Sequence, residues 1–301
     1  MTSIRKAWRL TLVALLILII LFTVTVLFPI AGNAGRGRLT RTLAKFSMWV
    51  MGIRVRVTGT VPDASAAAIG WASEGPGYMV CSNHVTFVDI FALSCVLPVR
   101  FVAKKEIASW PVFGLISKRT GTIFIDRPRR RAVLEIAEAM TNAMKEGRNV
   151  LFFPEGTTGT GEGLLPFHAN LFASAVAAEA PILPVTLRYT KDGAVTTLVS
   201  YAHRDLFTVL KDICATPGLA VDIQVLPVIE AAGRERRDIC AEASRVMSAA
   251  LGVEDATAAL EAKRLARAAA AERKEEVKSM EAPTNNRMLF YCFFPHVHAS
   301  G

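Results

Sequence analysis

The chain opens on its most apolar stretch. No residue from Leu10 to Ala34 is charged, and Leu12 to Phe28 is almost wholly Leu, Ile, Val and Phe. A helix rises about 1.5 Å per residue and a bilayer core is about 30 Å thick, so about 20 such residues reach across it. The block is too long for the apolar region of a cleaved signal peptide, and no small-x-small site follows it cleanly, so a retained anchor is expected. Arg5, Lys6 and Arg9 precede it and Arg36, Arg38, Arg41 and Lys45 follow, which leaves the positive-inside rule nearly balanced. Leu39 to Val50 then interleaves Arg41 and Lys45 with Leu43, Phe46, Trp49 and Val50, the pattern of a helix lying among lipid headgroups. A single span and two helices dipping into one leaflet both fit this pattern.

After Gly52 the period changes. Ile53 to Val57 alternates apolar and basic residues, as a strand does. Further β-branched or aromatic runs, bounded by Gly, Pro or charges, predict strands at Tyr78–Ser82, Arg100–Ala103, Thr122–Asp126, Val150–Phe153, Ile182–Leu187 and Val221–Leu226. Helical spacing appears in Val85–Leu97, stopped by Pro98, and most clearly in Ala132–Lys145, where Val133, Ile136, Ala137, Met140 and Met144 recur on one face. Strands alternating with helices predict an α/β domain with a largely parallel sheet. A closing helix is expected over Arg234–Leu251. Glu254–Met280, rich in Ala, Glu, Lys and Arg, reads as a solvated charged helix. The division this suggests is membrane-anchoring helices at 1–52, a catalytic domain at 53–230, a helical extension at 231–281 and a disordered tail at 282–301.

Composition narrows the partners. Hydrophobic residues make up 52% of the 301 positions, an excess concentrated in the first block, so the remainder can still face water. The formal charge of +9 suits nucleic acid, an anionic membrane, or acidic substrates such as phosphorylated lipids and thioester carriers. No zinc-finger spacing or RNA-binding aromatic signature is present, so nucleic acid is not expected as a partner. Five widely spaced cysteines without Cys-x-x-Cys predict neither a disulfide framework nor a metal site, but reduced buried thiols.

Three strand-end segments carry reactive side chains, at the place where α/β sheets bind ligands. Asn83-His84-Val85-Thr86-Phe87-Val88-Asp89 is the first. Inside one regular helix His84 and Asp89 would point about 140° apart. With His84 on the turn before a helix and Asp89 in its opening turn, the carboxylate can reach one ring nitrogen and leave the other free to take a proton. Gly121 to Arg127 is the second, a strand running into Asp126-Arg127, with Arg129, Arg130 and Arg131 beyond. A guanidinium grips phosphate or carboxylate in a fork, although a solvated arginine run reads equally well. The third is Phe152-Phe153-Pro154-Glu155-Gly156-Thr157-Thr158-Gly159, where a carboxylate enters a Gly-rich turn whose amides can approach a ligand. It lacks the Gly-Lys-Ser/Thr of a nucleotide loop.

In this order, Asn-His-x-x-x-x-Asp at 83–89, Gly-x-Ile-Phe-Ile-Asp-Arg at 121–127, Phe-Pro-Glu-Gly-Thr at 153–157 and Pro-Ile-Leu-Pro-Val at 181–185 resemble the lysophosphatidic acid acyltransferase family of glycerolipid acyltransferases. Ala103-Lys104-Lys105-Glu106 and Trp110 to Gly114 are similar to that family's segment after the first motif. The resemblance covers about residues 75 to 190. It implies a single α/β acyltransferase domain with a membrane helix, at the cytoplasmic membrane and facing the cytoplasm. It also implies a fatty acyl group moved from acyl-CoA or acyl carrier protein, as co-substrate, onto the free hydroxyl of lysophosphatidic acid to give phosphatidic acid. The hydroxyl attacks the thioester directly, and no further cofactor or metal is implied. His84 would be the general base and Asp89 its orienting partner. Arg127, Glu155, Gly156 and Thr157 would hold the acceptor, with Lys104 on an anionic group. The residues agree: no Gly-x-Ser-x-Gly elbow is present and no Cys stands beside the His as a nucleophile. Two departures matter. Thr158 stands where the family usually has Arg, and Phe167-His168 where members often have Phe-Lys. Both remove a fixed cation, which keeps another lysolipid, such as a lyso-ornithine lipid, open as acceptor. A non-catalytic lipid-binding membrane protein is the remaining reading.

Overall fold

The computed structural model describes residues 2–61, 76–96, 99–125, 130–200, 202 and 204–281. Residues up to Leu260 form one compact unit. The apolar block is helix α1 (Thr2–Phe22), prolonged through a π-helical turn (Thr23–Leu27) to Ile30. The wide turn directly precedes Pro29, which has no amide hydrogen and whose ring crowds the carbonyl four residues back. Helix α2 (Asn33–Met51) follows and stops at Gly52. There φ is +75°, and the amides of Gly52 and Ile53 close onto Trp49 and Met48, a left-handed ending that glycine adopts without strain.

Strands β1 (Arg54–Thr58) and β2 (Met79–Ser82) are followed by a short helix α3 (Asp89–Ser94) and then β3 (Arg100–Lys104). Helix α4 (Pro111–Arg119), β4 (Ile123–Ile125), α5 (Arg130–Lys145), β5 (Val150–Phe152) and α6 (Ala173–Ala178) come next. The unit is completed by β6 (Ile182–Lys191), β7 (Ala194–Val195), α7 (Leu206–Ala215), β8 (Leu219–Val225) and α8 (Arg236–Leu251). The sheet has the order β1-β8-β6-β2-β5-β3-β4, with β7 paired to β6. Strands β2 to β6 run the same way, as the alternating pattern predicts. Strand β8 runs against β6, and β1, parallel to β8, shares its direction, so the sheet is mixed.

Period-two alternation along the strands divides the core in two. Val80, Leu151, Leu183, Val185, Leu187 and Tyr189 face one way, against Met48 of α2, Ala92 of α3 and Ile213 of α7. Met79, Cys81, Val150, Phe152 and Ile182 face the other way, against Met140 and Met144 of α5, Ala175 of α6 and Cys240, Ala243 and Met247 of α8. Burying such a side chain fully stabilises by about 1.5–3 kcal/mol, so these two layers fix where each strand ends. Cys81, Cys95, Cys214 and Cys240 are buried; Cys292 lies outside the described residues. A third, smaller cluster joins Leu16, Ile20, Val24 and Phe28 of the first helix to Val50 of α2, with Ile116 of α4 against it.

Ser3–Ile30 is long and apolar enough to cross a membrane, judged by length and composition, and no other such helix occurs among the described residues. Helix α9 (Ala256–Glu281) carries charge along its length and is exposed from Glu261 to Lys274, the solvated helix its composition predicts.

Candidate active site

Strands β2 and β5 are neighbours and parallel, so the segments leaving their carboxyl ends emerge side by side. The first segment is anchored by Asn83. Its side chain continues the β2–β6 ladder past Ser82: Nδ2 donates to the Leu187 carbonyl at 2.9 Å and Oδ1 accepts from the Leu187 amide at 2.8 Å. This holds His84 at the rim of the sheet, with its side chain 17% exposed.

Asp89 opens helix α3 and is fully buried. Its Oδ2 accepts from three donors, His84 Nδ1 at 2.8 Å and the amides of Val85 at 2.7 Å and Thr86 at 2.9 Å. Its Oδ1 accepts from the Tyr189 hydroxyl at 2.7 Å. Four donors thus surround this one buried carboxyl. With Nδ1 donating to a carboxylate, the neutral imidazole carries its hydrogen there, and Nε2 is left with a lone pair. The helix expected from Val85 begins only at Asp89, because the Val85 and Thr86 amides are bonded to the Asp89 side chain. That delay is what lets a residue five positions on reach His84.

The second segment turns sharply after β5. Phe153 stacks on the His84 ring, with centroids 3.9 Å apart and planes 10° from parallel, which fixes the ring plane. Glu155 is 4% exposed. Its Oε1 accepts from the His84 backbone amide at 2.8 Å and its Oε2 from the Leu165 amide at 3.0 Å. Burial pushes its carboxyl up to about 7, against the two amide bonds that hold it down, with the Asp89 charge adding to the rise. Both Glu155 oxygens thus brace the chain's own loops. Gly156 has φ of +70°, and a Cβ there would meet the His168 ring at 3.2 Å, so any side chain would be strained. Its amide donates to the Phe153 carbonyl inside the turn, so it is committed there and not free for an oxyanion. Thr157 and His168 are exposed at the same loop. The Gly159 amide bonds to the His84 carbonyl at 2.8 Å, tying the two segments together again.

Lys104 ends β3 and is exposed at the same sheet edge, one strand beyond β5. Arg127 lies outside the described residues. The structure therefore brings His84, Asp89, Glu155, Gly156 and Thr157 together and puts Lys104 on the same rim. Tyr189 and Asn83 were not singled out from sequence. Tyr189 stands 100 positions from its partner on a strand whose other inward residues are apolar, and only the pairing of β6 with β2 makes it a neighbour.

This geometry can hold a neutral imidazole, oriented and backed by a carboxylate, with one nitrogen free at a sheet edge to accept a proton from a hydroxyl. An acyltransferase family model matches residues 46–188. A 1-acyl-sn-glycerol-3-phosphate acyltransferase of Neisseria gonorrhoeae is 45% identical over 168 residues, 55% of this chain and 66% of the relative, just under two thirds of its length. A lyso-ornithine lipid O-acyltransferase of Pseudomonas aeruginosa is 32% identical over 217 residues, 72% of this chain and 79% of that protein. The crystal structure of the 1-acyl-sn-glycerophosphate acyltransferase PlsC of Thermotoga maritima shares the fold, with a TM-score of 0.59 over 84% of this chain and 97% of that one, at 17% identity. With the family model matched and a 32% identical acyltransferase covered over 79% of its length, the chain belongs to the acyltransferase family.

Proposed function

We propose that the protein transfers a fatty acyl group from a thioester, acyl-CoA or acyl carrier protein, to the free hydroxyl of lysophosphatidic acid at a membrane surface. The observation that carries this is the 2.8 Å bond from His84 Nδ1 to the fully buried Asp89. It leaves Nε2 as the base. Nε2 takes the acceptor's hydroxyl proton as the oxygen attacks the thioester carbon. The carbon–sulfur bond then breaks, and the proton passes from the imidazolium to the leaving thiolate. The new ester and the free thiol account for every atom. General base assistance of this kind is worth about 10²–10⁴ in rate.

Glu155 serves as a brace, holding the His84 backbone so that Nε2 keeps its aim. Lys104 and Arg127 supply cations for the acceptor's phosphate, and Gly156 and Thr157 line its approach. Helices α1 and α2 hold the protein to the membrane through their exposed apolar side chains, Leu18, Phe22 and Trp49 among them. Contacts of the first helix with α2 and α4 favour attachment from one side of the bilayer over an isolated span.

A second acceptor is favoured by a specific observation. From Phe153 to His168 the loop carries no Lys or Arg, with Thr158 and His168 at the two departures. A lyso-ornithine lipid, which brings its own ammonium, suits such a loop better than a phosphomonoester does. Purified protein offered lysophosphatidic acid, lyso-ornithine lipid and a neutral lysolipid, with each donor, separates the two. Acylation of lysophosphatidic acid at the highest kcat/KM supports the first reading, and a preference for lyso-ornithine lipid replaces it with the second. His84→Ala should reduce turnover at least a hundredfold in a folded protein; near-normal turnover would refute the assigned base.

A further inference from the structure

We propose that Tyr189 is a positioning residue of the site, its hydroxyl holding Asp89 so that Oδ2 alone serves the His84 ring. The inference rests on the acyl-transfer reading only for its kinetic consequence, since the hydrogen-bond chain itself is geometric.

The observations are these. Tyr189 is one of the largest fully buried side chains, on β6, and its hydroxyl donates to Asp89 Oδ1 at 2.7 Å. Burial, with the Asp89 charge and the hydrogen bond to it, pushes the phenol well above its usual range, so Tyr189 remains a donor throughout the working pH range. A carboxylate has two oxygens of equal basicity. If Oδ1 were left without a donor in this buried place, the side chain could rotate and offer either oxygen to the imidazole and the two amides. The tyrosine removes that choice. It also withdraws electron density from the carboxylate, which makes Asp89 a weaker partner for an imidazolium. Without it, the carboxylate would hold a protonated ring more strongly.

Other titratable or charged groups face this chain. Glu155 approaches from the β5 loop through the His84 amide. Cys95, just past α3, is close enough to raise the Tyr189 phenol, and Lys45 and Arg41 of α2 act in turn on Cys95. His168 sits behind Gly156. Tyr189 donates directly to Asp89, and no other of these groups does so among the described bonds. A purely structural tyrosine would fill space and satisfy Asp89 without setting the protonation of His84, so the two roles predict different titrations.

Tyr189→Phe keeps the ring and removes the donor. The His84 imidazole, assigned by its loss in His84→Ala, is titrated by NMR in both proteins, a readout that needs no turnover. Its pKa should rise by about half to one unit in Tyr189→Phe, a several-fold change in proton affinity. Where the protein acylates a lysolipid, the acid limb of kcat should move up by the same amount. The plateau should fall about tenfold through misorientation of the base, and acceptor KM should stay within twofold. Replacing the four tyrosines with fluorotyrosine keeps the fold and makes the phenol a stronger donor, so the same limb should move down. A folded Tyr189→Phe protein with the wild-type His84 titration overturns the proposal. So does a fluorotyrosine protein whose titration does not move. If His84→Ala retains activity while Tyr189→Phe shifts the His84 titration, the base assignment fails and the positioning role stands.

Discussion

The loops around His84 and the apolar helix at the N-terminus treat water in opposite ways. Around His84, polar groups are buried and given partners. Asp89 takes four hydrogen bonds and Glu155 takes two, all from within the chain. Along the first helix, large apolar groups are left outside, Leu15, Leu18, Phe22 and Ile30 being 52%, 63%, 57% and 79% exposed. A buried carboxylate without donors and an exposed leucine row without a cover would each be unfavourable. The first problem is solved by the fold itself. The second is left for a lipid surface to solve. The comparison teaches that rigidity at the site and attachment at the membrane come from separate parts of the chain, and each can be disturbed alone.

The strongest way to break the contrast is Asp89→Ala. It strands the Tyr189 hydroxyl and the Val85 and Thr86 amides in the core, and we expect about 4 kcal/mol of lost stability together with loss of acyl transfer. Denaturant unfolding and an activity assay measure both, and an unchanged midpoint would mean that the carboxylate is not the hub described here. A second effect comes from Glu155. Its folded pKa, about 7, lies above the ordinary 4.5, so the native state binds the extra proton between those values. The contribution of this group to stability should therefore be largest below about pH 4.5, fall as pH rises, and level off above about 7. The group's contribution to that fall is about 3 kcal/mol at most. Thermal melts of wild type and Glu155→Gln across this window should differ in slope; parallel curves would dismiss the raised carboxyl. Next, Leu18→Ser with Phe22→Ser should leave the His84 loops intact and weaken attachment to anionic vesicles by about 2 kcal/mol, roughly thirtyfold. Unaltered flotation would move the anchor elsewhere. The smallest change sharpens the rule by its exception. The Thr86 hydroxyl is buried with no partner among the described atoms, so Thr86→Val should keep the shape and raise stability by about 1 kcal/mol. A loss of stability there would reveal a partner for that hydroxyl.

Much of this was legible before any coordinates. The seven strands expected from local pattern are all present, because β-branched runs bounded by turns depend on near neighbours. Helix α5 and the charged helix α9 were equally plain. The direction of β1 and β8 was not, since local hydropathy does not encode which way a distant strand enters a sheet. At the site, the spacing of His84 and Asp89 announced a pair only if a turn preceded the helix, and the structure supplies that turn through the Asp89 side chain. Glu155 was visible as a reactive group. Its bracing bonds to His84 and Leu165 depend on the β2–β5 pairing and could not be read from its own surroundings. Tyr189 escaped for the same reason.

The turn after β5 is held by main-chain bonds, Gly156 to Phe153, Gly159 to His84 and His168 to Pro154, and by the inward side chain of Glu155. Its outward side chains Thr157 and Glu162 are thereby spared from holding it in shape. Under the proposed acyl transfer, substitutions among them would retune which headgroup is accepted while the bonded groups beneath stay as they are. On that reading, a scaffold so arranged leaves acceptor choice adjustable through a few outward-facing positions.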